Sequence, residues 1–284
     1  MEVKLNQYKM NKNIFTLAGK NIIITGSSGL MGYQHAEAIV EAGGNPILID
    51  ISEERLRQQN LYFKKKFKKN LTFFVLDITN EKKVEECFNN CKKKIKSIHG
   101  LINNAANNPK IEDATNEKFS RLENFSLDMW NKDISVSLTG SFLCIKYFGN
   151  YISKNKNGGV IINISSDLGL ISPDQRLYKK NGLLEKNQPV KPVTYSVAKT
   201  GIIGLTKYVA TYWADKNVRC NAICPGGIEN GQDPVFLSRI SKLIPLGRLA
   251  KKDEYKGLIV FLLSDAASYI NGSVVVADGG RSTW

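Results

Sequence analysis

The feature that most constrains the fold is a regular alternation of short apolar runs with longer amphipathic stretches between Asn21 and Val276. The apolar runs, which we predict as strands, are Asn21–Thr25, Pro46–Asp50, Thr72–Leu76, Gly100–Asn103, Val160–Ser165, Arg219–Ile223 and Ser273–Val276. The amphipathic stretches, which we predict as helices, include Met31–Ala42, Glu81–Ile95, Asp128–Phe148, Thr194–Asp215 and Lys252–Ser264. Such alternation predicts an α/β fold, in which a doubly wound parallel sheet of about seven strands has helices on both faces.

One segment interrupts this alternation. Residues Ser172–Lys191 are polar, contain Pro173 and Pro189, and show weak periodicity. A segment of this length inside a compact domain is usually either functional or mobile. Because we find no internal repeat and no interdomain linker, we predict that residues 1–284 form a single domain with an insertion at about residues 172–191.

The charge balance bears on possible partners. The chain has 40 Lys and Arg against 26 Asp and Glu, which gives a formal net charge of +14. This charge is compatible with a nucleic-acid partner, but Arg, which groove-reading proteins favour, is scarce beside Lys. The densest run, Lys64–Lys69, precedes a predicted strand and fits the solvated end of a helix. We therefore predict a basic surface and no nucleic-acid partner.

The cysteine and apolar patterns bear on compartment and metal binding. Five cysteines show neither metal-ligand spacing nor a disulfide framework, so we predict reduced thiols and no metal site. Met1–Asn21 lacks the apolar core of a signal peptide, and no apolar run is long enough to span a membrane. His35 and His99 are expected to pack or lie at the surface. These observations predict a cytoplasmic protein without a membrane partner.

A glycine-rich loop follows the first predicted strand. The sequence from Thr25 to Gly32 reads TGSSGLMG and leads into a predicted helix. Gly26 would allow a sharp turn, Gly29 a close approach of backbone to a pyrophosphate, and Gly32 tight packing of the helix. Because a helix N-terminus presents free N–H groups to phosphate, the loop predicts a dinucleotide site of the Rossmann type.

The end of the second predicted strand bears on cofactor choice. Asp50 follows Gly32 by 18 residues, where a carboxylate accepts hydrogen bonds from the ribose hydroxyls and repels a 2′-phosphate. Arg55 and Arg57 could favour NADP(H), but we expect them a turn or more into the next helix. We therefore predict NAD(H) over NADP(H). A second interpretation, in which Asp50 caps that helix, is compatible with the same role.

A tyrosine and a lysine have helical spacing further along the chain. Tyr195 and Lys199 are four residues apart, so a helix would place them on one face. A nearby ammonium favours the phenolate and would lower the pKa of Tyr195, which suits an acid/base near neutral pH.

These elements stand among further motifs in a fixed order. The motifs are Asp77, Asn103-Asn104-Ala105-Ala106, Asn163-Ile164-Ser165-Ser166, Asn221-Ala222, Pro225-Gly226-Gly227-Ile228, and the C-terminal segments 261–265 and 277–280. With them, the chain from about Leu17 to Gly280 resembles the short-chain dehydrogenase/reductase family. The resemblance implies an oxidoreductase in which the cofactor supplies the hydride chemistry while the protein orients it and manages the proton.

The resemblance also implies a role for each matching residue. Ser166 would hold the substrate oxygen, Tyr195 would exchange its proton, and Lys199 would bind the nicotinamide ribose and lower the pKa of Tyr195. The residues that would bind the cofactor are Gly26, Ser28, Gly29, Leu30, Met31, Asp50, Asp77, Ile78, Asn104, Ala105, Ala106, Tyr195, Lys199, Pro225, Gly226 and Ile228.

The chain departs from the family pattern in several places. Its glycine spacing is similar to that of the extended, nucleotide-sugar branch of the family. Ser137 stands where the shorter branch usually has the Asn that holds a proton-relay water, and we expect this catalytic role of Ser137. The Asn-Asn-Ala-Gly motif ends in Ala106, and the insertion separates Ser166 from Tyr195. With the run from Pro225 to Leu237, these departures resemble the PtmA-like oxidoreductases associated with flagellin modification and legionaminic-acid-type sugars.

Two further regions have two interpretations each. The insertion is either a substrate site suited to hydroxyls, a carboxylate or a phosphate, or merely solvated. Its polar residues are Asp174, Gln175, Arg176, Tyr178, Lys179, Lys180, Asn181, Asn187 and Gln188. The helix that contains Trp130, Phe142, Cys144 and Tyr147 either forms a subunit interface, as in relatives, or packs in the core.

Our leading hypothesis is an NAD-dependent enzyme that interconverts a secondary alcohol and a ketone on a sugar or sugar derivative, as a homotetramer or homodimer. A second hypothesis keeps the same residues but ends in dehydration or epimerisation with the cofactor recycled. A third is a non-catalytic NAD(H)-binding regulator, against which the intact Ser166, Tyr195 and Lys199 argue.

Overall fold

The structure, a computed structural model, describes residues 13–107 and 120–284. The first part of Met1–Asn21, in which we predict no signal peptide, lies outside the described residues. The seven strands are β1 (Asn21–Thr25), β2 (Asn45–Asp50), β3 (Thr72–Val75), β4 (Gly100–Asn103), β5 (Gly159–Ile164), β6 (Val218–Pro225) and β7 (Val274–Ala277). They form one parallel sheet in the order β3-β2-β1-β4-β5-β6-β7, which confirms the predicted fold.

The α-helices are α1 (Leu30–Glu41), α2 (Glu53–Phe67), α3 (Glu81–Lys94), α4 (Leu127–Ile134), α5 (Gly140–Cys144), α6 (Asn150–Ile152), α7 (Val193–Tyr212), α8 (Pro234–Ser241) and α9 (Lys256–Leu263). They cover both faces of the sheet. On β1, Ile22 and Ile24 pack into the core on the face covered by α1 and α9, while Ile23 packs into the core on the opposite face. Burial on both faces explains why the strand is a continuous run of isoleucine.

The sheet order places a crevice at the carboxyl ends of the strands. The chain runs outward from β1 to β3 and then returns to β4, on the other side of β1. Helices that follow β1 and β4 therefore diverge, and ligands of such sheets bind in the gap between them.

The predicted helix Asp128–Phe148 is a longer and less regular helical stretch. Between α4, α5 and α6 lie two π-helical segments, Ser135–Thr139 and Ile145–Gly149. Single π-turns inside α-helices are frequent at functional sites. Cys144 is fully buried, as core packing predicts. The ring of Phe142 is half exposed, so for this residue the subunit interface stays a prediction.

Two other helix boundaries differ from the prediction by three residues or more. The predicted helix Lys252–Ser264 begins as α9 only at Lys256, because Glu254 pairs with Arg248 and accepts a hydrogen bond from the backbone of Lys251. The predicted helix Thr194–Asp215 ends at Tyr212, and a 3₁₀ turn follows.

Several predicted surface and core features have clear positions. The run Lys64–Lys69 ends α2, where Lys68 adopts the left-handed conformation that terminates the helix. His35 is buried in α1, and His99 Nδ1 accepts a hydrogen bond from the backbone of Asn21. All five cysteines are buried as free thiols. Across the described ranges, no helix combines the length and apolarity that a bilayer span requires.

Candidate active site

A cleft of about 1340 Å³ lies along the carboxyl ends of the strands. We call the part around Gly26, Gly29, Asp50 and Asp77 the glycine-loop end. We call the part around Tyr195 and the insertion the tyrosine end. Among the predicted site residues, those that line this cleft are Gly26, Gly29, Leu30, Met31, Asp50, Asp77, Ile78, Asn104, Ala105, Ala106, Ser166, Tyr195, Lys199, Pro225, Gly226 and Ile228.

The glycine loop is packed too tightly for side chains at two positions. Gly26 has a φ of 60°, and a Cβ there would lie 2.7 Å from the Cα of Ala105. A Cβ on Gly32 would lie 2.3 Å from the carbonyl oxygen of Gly26. The loop therefore folds back on the first turn of α1 and on the end of β4. Asn104 ties the same parts together, because its Nδ2 donates to the carbonyls of Thr25 and Gly26.

The loop has the features that a phosphate group needs. Gly29 precedes the first turn of α1 and supplies no side-chain cap to it. The hydroxyl of Ser28 is buried without a hydrogen-bond partner among the described residues. An uncapped helix N-terminus together with an orphaned hydroxyl suits an anionic ligand, so these residues fit a dinucleotide pyrophosphate.

Two backbone N–H groups hold the Asp50 carboxylate at the end of β2. Its Oδ2 accepts a hydrogen bond from the N–H of Ser28, and its Oδ1 accepts one from the N–H of Ser52, each at 3.1 Å. Ser52, rather than Asp50, caps α2, so the capping interpretation of Asp50 is wrong.

Arg55 lies closer to this position than predicted. Because α2 begins at Glu53, Arg55 is in its first turn, lines the cleft, and places Nη2 3.6 Å from Asp50 Oδ1. Arg57 instead pairs with Glu53 on the exposed side of the helix. The glycine-loop end thus presents a carboxylate and a guanidinium side by side.

Ser166 and Tyr195 meet at the other end of the cleft. Ser166 Oγ donates to Asp167 Oδ1 at 2.8 Å and accepts from the N–H of Leu168. Burial raises the pKa of Tyr195, and hydrogen bonding with Ser166 acts in the opposite direction. The expectation of a lowered pKa for Tyr195 is therefore wrong for this arrangement, because burial outweighs the stabilising contacts.

Lys199 is buried one turn after Tyr195 on α7. Its Nζ donates to the carbonyl of Ile164 at 2.8 Å and lies 5.8 Å from the centre of the Tyr195 ring. Burial lowers the pKa of Lys199 to about 8, and the nearby charge of Lys191 adds to this effect. The end of β5 therefore fixes the ammonium beneath the cleft.

A second lysine, which the sequence analysis did not single out, is closer to the tyrosine. Lys191 is the last residue of the insertion, and its Nζ lies 4.0 Å from the centre of the Tyr195 ring. Lys191 stands four residues before Tyr195, a spacing that could have indicated their proximity. Pro192 lies between them and ends the helical pattern, so the sequence does not predict that they share a helix face.

A buried ion pair lies beside Ser166 and also escaped prediction. Arg281 Nη1 donates to Asp167 Oδ2 at 2.6 Å, and both side chains are less than one-tenth exposed. The carboxylate that accepts from Ser166 is thus neutralised by a guanidinium from the C-terminal segment. No local pattern links these two residues, which are 114 positions apart.

Ser137 does not line the main cleft but lies next to Tyr195 and Lys199. A cavity of about 10 Å³, roughly the space that one water needs, is bordered by Ser137, Lys199, Tyr195 and Asp133. Asp133 accepts hydrogen bonds there from Asn107 and Thr194. Ser137 belongs to the π-helical segment Ser135–Thr139, so the irregular turn brings this residue to the cavity.

The insertion is an ordered cover on the tyrosine end. Gln188 bonds the backbone of Lys180 and Leu183, which closes its outer half into a compact loop. Among its predicted polar residues, Tyr178, Lys179, Lys180 and Asn181 line the cleft. Asp174, Gln175, Arg176, Asn187 and Gln188 are absent from the cleft wall, and most of them bond within the insertion.

The segment after β6 is fastened to this cover. Arg239 on α8 donates to the carbonyls of Arg176, Leu177 and Lys179. Leu177 also packs in a small core with Ile240, Ile244 and Leu249.

The fold and the cleft together define a Rossmann-type oxidoreductase. The short chain dehydrogenase model matches residues 20–178, and the model described as Enoyl-(Acyl carrier protein) reductase matches residues 183–282. The chain therefore belongs to the short-chain dehydrogenase/reductase family.

Three relatives illustrate this similarity. The chain is 30% identical to the NADP-dependent mannitol dehydrogenase of Alternaria alternata, over 99% of this chain and 98% of that protein. It is also 30% identical to the trans-4-hydroxycyclohexanecarboxylate dehydrogenase of Sinomonas cyclohexanicum, over 94% of each chain. A short chain dehydrogenase from Leptospira borgpetersenii, solved with bound NAD+, has a TM-score of 0.78 and 27% identity over 96% of this chain and 97% of that one.

Proposed function

We propose that the protein is an NAD(H)-dependent oxidoreductase that interconverts a secondary alcohol and a ketone, with a sugar or sugar derivative as substrate. The observation that carries this proposal is that Ser166, Tyr195 and Lys199 line one cleft with a phosphate-type glycine loop. Two relatives that are dehydrogenases of hydroxyl-bearing compounds, mannitol and trans-4-hydroxycyclohexanecarboxylate, support it.

Each residue of the site has a distinct task in this proposal. A bound nicotinamide would supply or accept the hydride. Tyr195 Oη would exchange a proton with the substrate oxygen, and Ser166 Oγ, which its contacts with Asp167 and Leu168 already orient, would hold that oxygen. The Lys199 ammonium would bind ribose hydroxyls and stabilise the phenolate that remains after proton donation.

The proton then needs a path to solvent. Ser137, Tyr195 and Lys199 border the water-sized cavity, so a water there would exchange the proton with Lys199 as the first step of this path. We propose that the Ser137 hydroxyl contacts this water in place of the Asn side chain that the shorter branch of the family usually has. The serine side chain is shorter than that of Asn.

The preference for NAD(H) rests on Asp50. Its carboxylate would accept hydrogen bonds from the adenosine ribose hydroxyls and would repel a 2′-phosphate. Arg55, at 3.6 Å from the same carboxylate, weakens this preference because it offers a cation to such a phosphate. We therefore expect measurable binding of both cofactors, with NADH the tighter.

The PtmA-like subgroup, and with it a legionaminic-acid-type sugar, is a finer proposal supported by the insertion and the glycine spacing. The same spacing favours a second candidate, in which the enzyme dehydrates or epimerises a nucleotide sugar and recycles its cofactor. The two candidates differ in one observable, because the second changes the sugar with no net change in NADH.

A homodimer or homotetramer accompanies this function in our proposal. Phe142 on α5 and the stacked rings of Tyr208 and Tyr212 on α7 are exposed aromatic groups of the kind that subunit interfaces cover.

The test begins with NADH and NADPH binding by fluorescence, followed by a screen of polyols, sugars and nucleotide sugars for a change in NADH absorbance. Turnover should fall about 100-fold or more in Tyr195→Phe, because the phenol supplies the proton, while NADH affinity stays nearly unchanged. Retained turnover in this variant would refute the role of Tyr195. Absence of cofactor binding in the wild type would refute the proposal as a whole.

A further inference from the structure

A buried glutamine on α2 contacts the glycine loop. Gln59 lies near the middle of this helix and is fully buried. Its side-chain Nε2 donates a hydrogen bond to the backbone carbonyl of Ser27 at 2.9 Å. Ser27 is also fully buried and stands between Gly26 and Ser28 in the loop. The helix that follows β2 therefore holds the loop that follows β1.

The loop is the hydrogen-bond partner of this glutamine. A carbonyl oxygen only accepts hydrogen bonds, so the amide nitrogen of Gln59 must face Ser27. The amide oxygen, Oε1, is buried and has no partner in the described part of the chain. Burial of an amide costs free energy that burial of an apolar side chain of similar size does not. The bond to the loop is thus what distinguishes glutamine from methionine at this position.

The peptide group between Ser27 and Ser28 is held at both of its ends. Its carbonyl accepts from Gln59, and its N–H donates to Asp50 Oδ2 at 3.1 Å. The N–H of Ser27, which belongs to the preceding peptide group, donates to the carbonyl of Ile49 at 3.1 Å. Two consecutive peptide groups of the loop are therefore fixed to β2 and α2.

The direction of the Ser27 carbonyl matters for an anionic ligand. Gly26 and Gly29, on either side of this peptide group, line the cleft. A carbonyl oxygen carries partial negative charge, so rotating it toward the cleft would oppose a phosphate. Gln59 instead holds this oxygen on the buried side of the loop. The first N–H groups of α1 can then approach a phosphate without opposition from this carbonyl.

We propose that Gln59 is a positioning residue for the cofactor, because it holds the Ser27 carbonyl and so keeps the glycine loop in the conformation that binds a pyrophosphate. This inference rests on the proposed function in one respect, namely that the loop binds a nicotinamide dinucleotide. Arg55 precedes Gln59 by four residues on α2 and lies beside Asp50. Asp50 and Arg55 bear on the choice between NADH and NADPH, whereas Gln59 should affect both, since both contain the pyrophosphate.

The first test removes the hydrogen-bond donor and keeps the size of the side chain. In Gln59→Met, the affinities for NADH and NADPH should each fall about tenfold, because one buried hydrogen bond is lost. The ratio of the two affinities should stay within about twofold of the wild-type ratio, since both ligands lose the same contact. Fluorescence titration measures both. Unchanged affinity for NADH would overturn the proposal.

A ligand without phosphate separates positioning of the loop from general damage to the site. Adenosine lacks the pyrophosphate, so its affinity, measured by calorimetry, should be the same in Gln59→Met as in the wild type. A loss for adenosine as large as that for NADH would overturn the proposal, because it would show that the whole adenosine site had changed.

The neighbouring glutamine provides a matched control. Gln58 is exposed, and its amide donates to Glu54 on the same helix. Gln58→Met therefore removes the same chemical group without touching the loop and should leave NADH affinity unchanged. Chemical denaturation establishes that both variants are folded under the titration conditions. If Gln59→Met fails to fold, Gln59→Leu gives the same comparison. Equal losses of NADH affinity at positions 58 and 59 would overturn the assignment.

These titrations do not depend on the proposed reaction. In an active enzyme, Gln59→Met should raise the KM for NADH by a larger factor than it lowers kcat, because Gln59 acts on cofactor binding through the loop. A tenfold loss of NADH affinity in a protein that converts no sugar would support this inference and refute the proposed reaction. An active enzyme in which Gln59→Met keeps the wild-type KM for NADH would do the reverse.

Discussion

The two ends of the cleft differ in whether backbone or charged side chains form them. The glycine-loop end consists mainly of backbone, and Gly26 and Gly32 are packed so closely that neither has room for a methyl group. The tyrosine end consists of charged side chains from distant segments, among which Arg281 and Asp167 form a buried pair. The first end should therefore be sensitive to added atoms, and the second to removed charges.

The largest stability effect is expected from breaking the pair at the tyrosine end. Arg281→Met would leave the Asp167 carboxylate buried without its cation, at a cost of about 3 kcal/mol in the free energy of unfolding. Chemical denaturation measures this loss. Arg248→Met, which removes an exposed ion pair with Glu254, is the control and should cost less than about 1 kcal/mol. Equal losses in the two variants would contradict the distinction between buried and exposed pairs.

At the glycine-loop end the informative change is the addition of one carbon. Gly32→Ala would press a methyl group against the carbonyl of Gly26, so we expect a loss of about 1–3 kcal/mol and weaker NADH binding. Gly204, inside α7, has open space around it, and Gly204→Ala should stabilise the protein by up to about 1 kcal/mol. Chemical denaturation of both variants measures the changes in stability, and NADH titration measures the changes in cofactor affinity. If Gly32→Ala left both stability and NADH affinity unchanged, the loop would not be packed as tightly as described.

The smallest effect concerns Asp50, whose carboxylate lies beside the Arg55 guanidinium at the glycine-loop end. Asp50→Ala should reduce the preference for NADH over NADPH by about tenfold, which corresponds to about 1.4 kcal/mol. Arg55→Met should change the preference in the opposite direction, because it removes the nearby cation. Fluorescence titration with both cofactors measures these ratios. A wild type that already prefers NADPH would show that Arg55 dominates this site.

The sheet could be predicted from the sequence because each strand has a local signature. Runs such as that of β1 are apolar throughout, since a parallel strand between two helical layers is buried on both sides. The grouping of Tyr195 with Lys199 was also local, because it follows from helical spacing. Both features depend on residues that are neighbours along the chain.

The rest of the site depends on where distant segments meet. The contact of Arg281 with Asp167 joins the C-terminal segment to the turn after β5, and no short pattern encodes it. Arg55 reaches Asp50 because α2 begins only at Glu53, after the cap Ser52, which places Arg55 in the first turn of the helix. Sequence patterns do not fix a helix boundary to the single residue. The pKa of Tyr195 depends on burial, which spacing does not reveal.

The three hydrogen bonds that Arg239 donates to the insertion hold the insertion and α8 together. The insertion and α8 cannot separate without breaking these bonds and exposing Leu177 and Ile240. We therefore expect the two segments to move together if this side of the cleft opens. Gly231, with a φ of 74°, lies in the chain between β6 and α8, where a backbone change could take up such a movement.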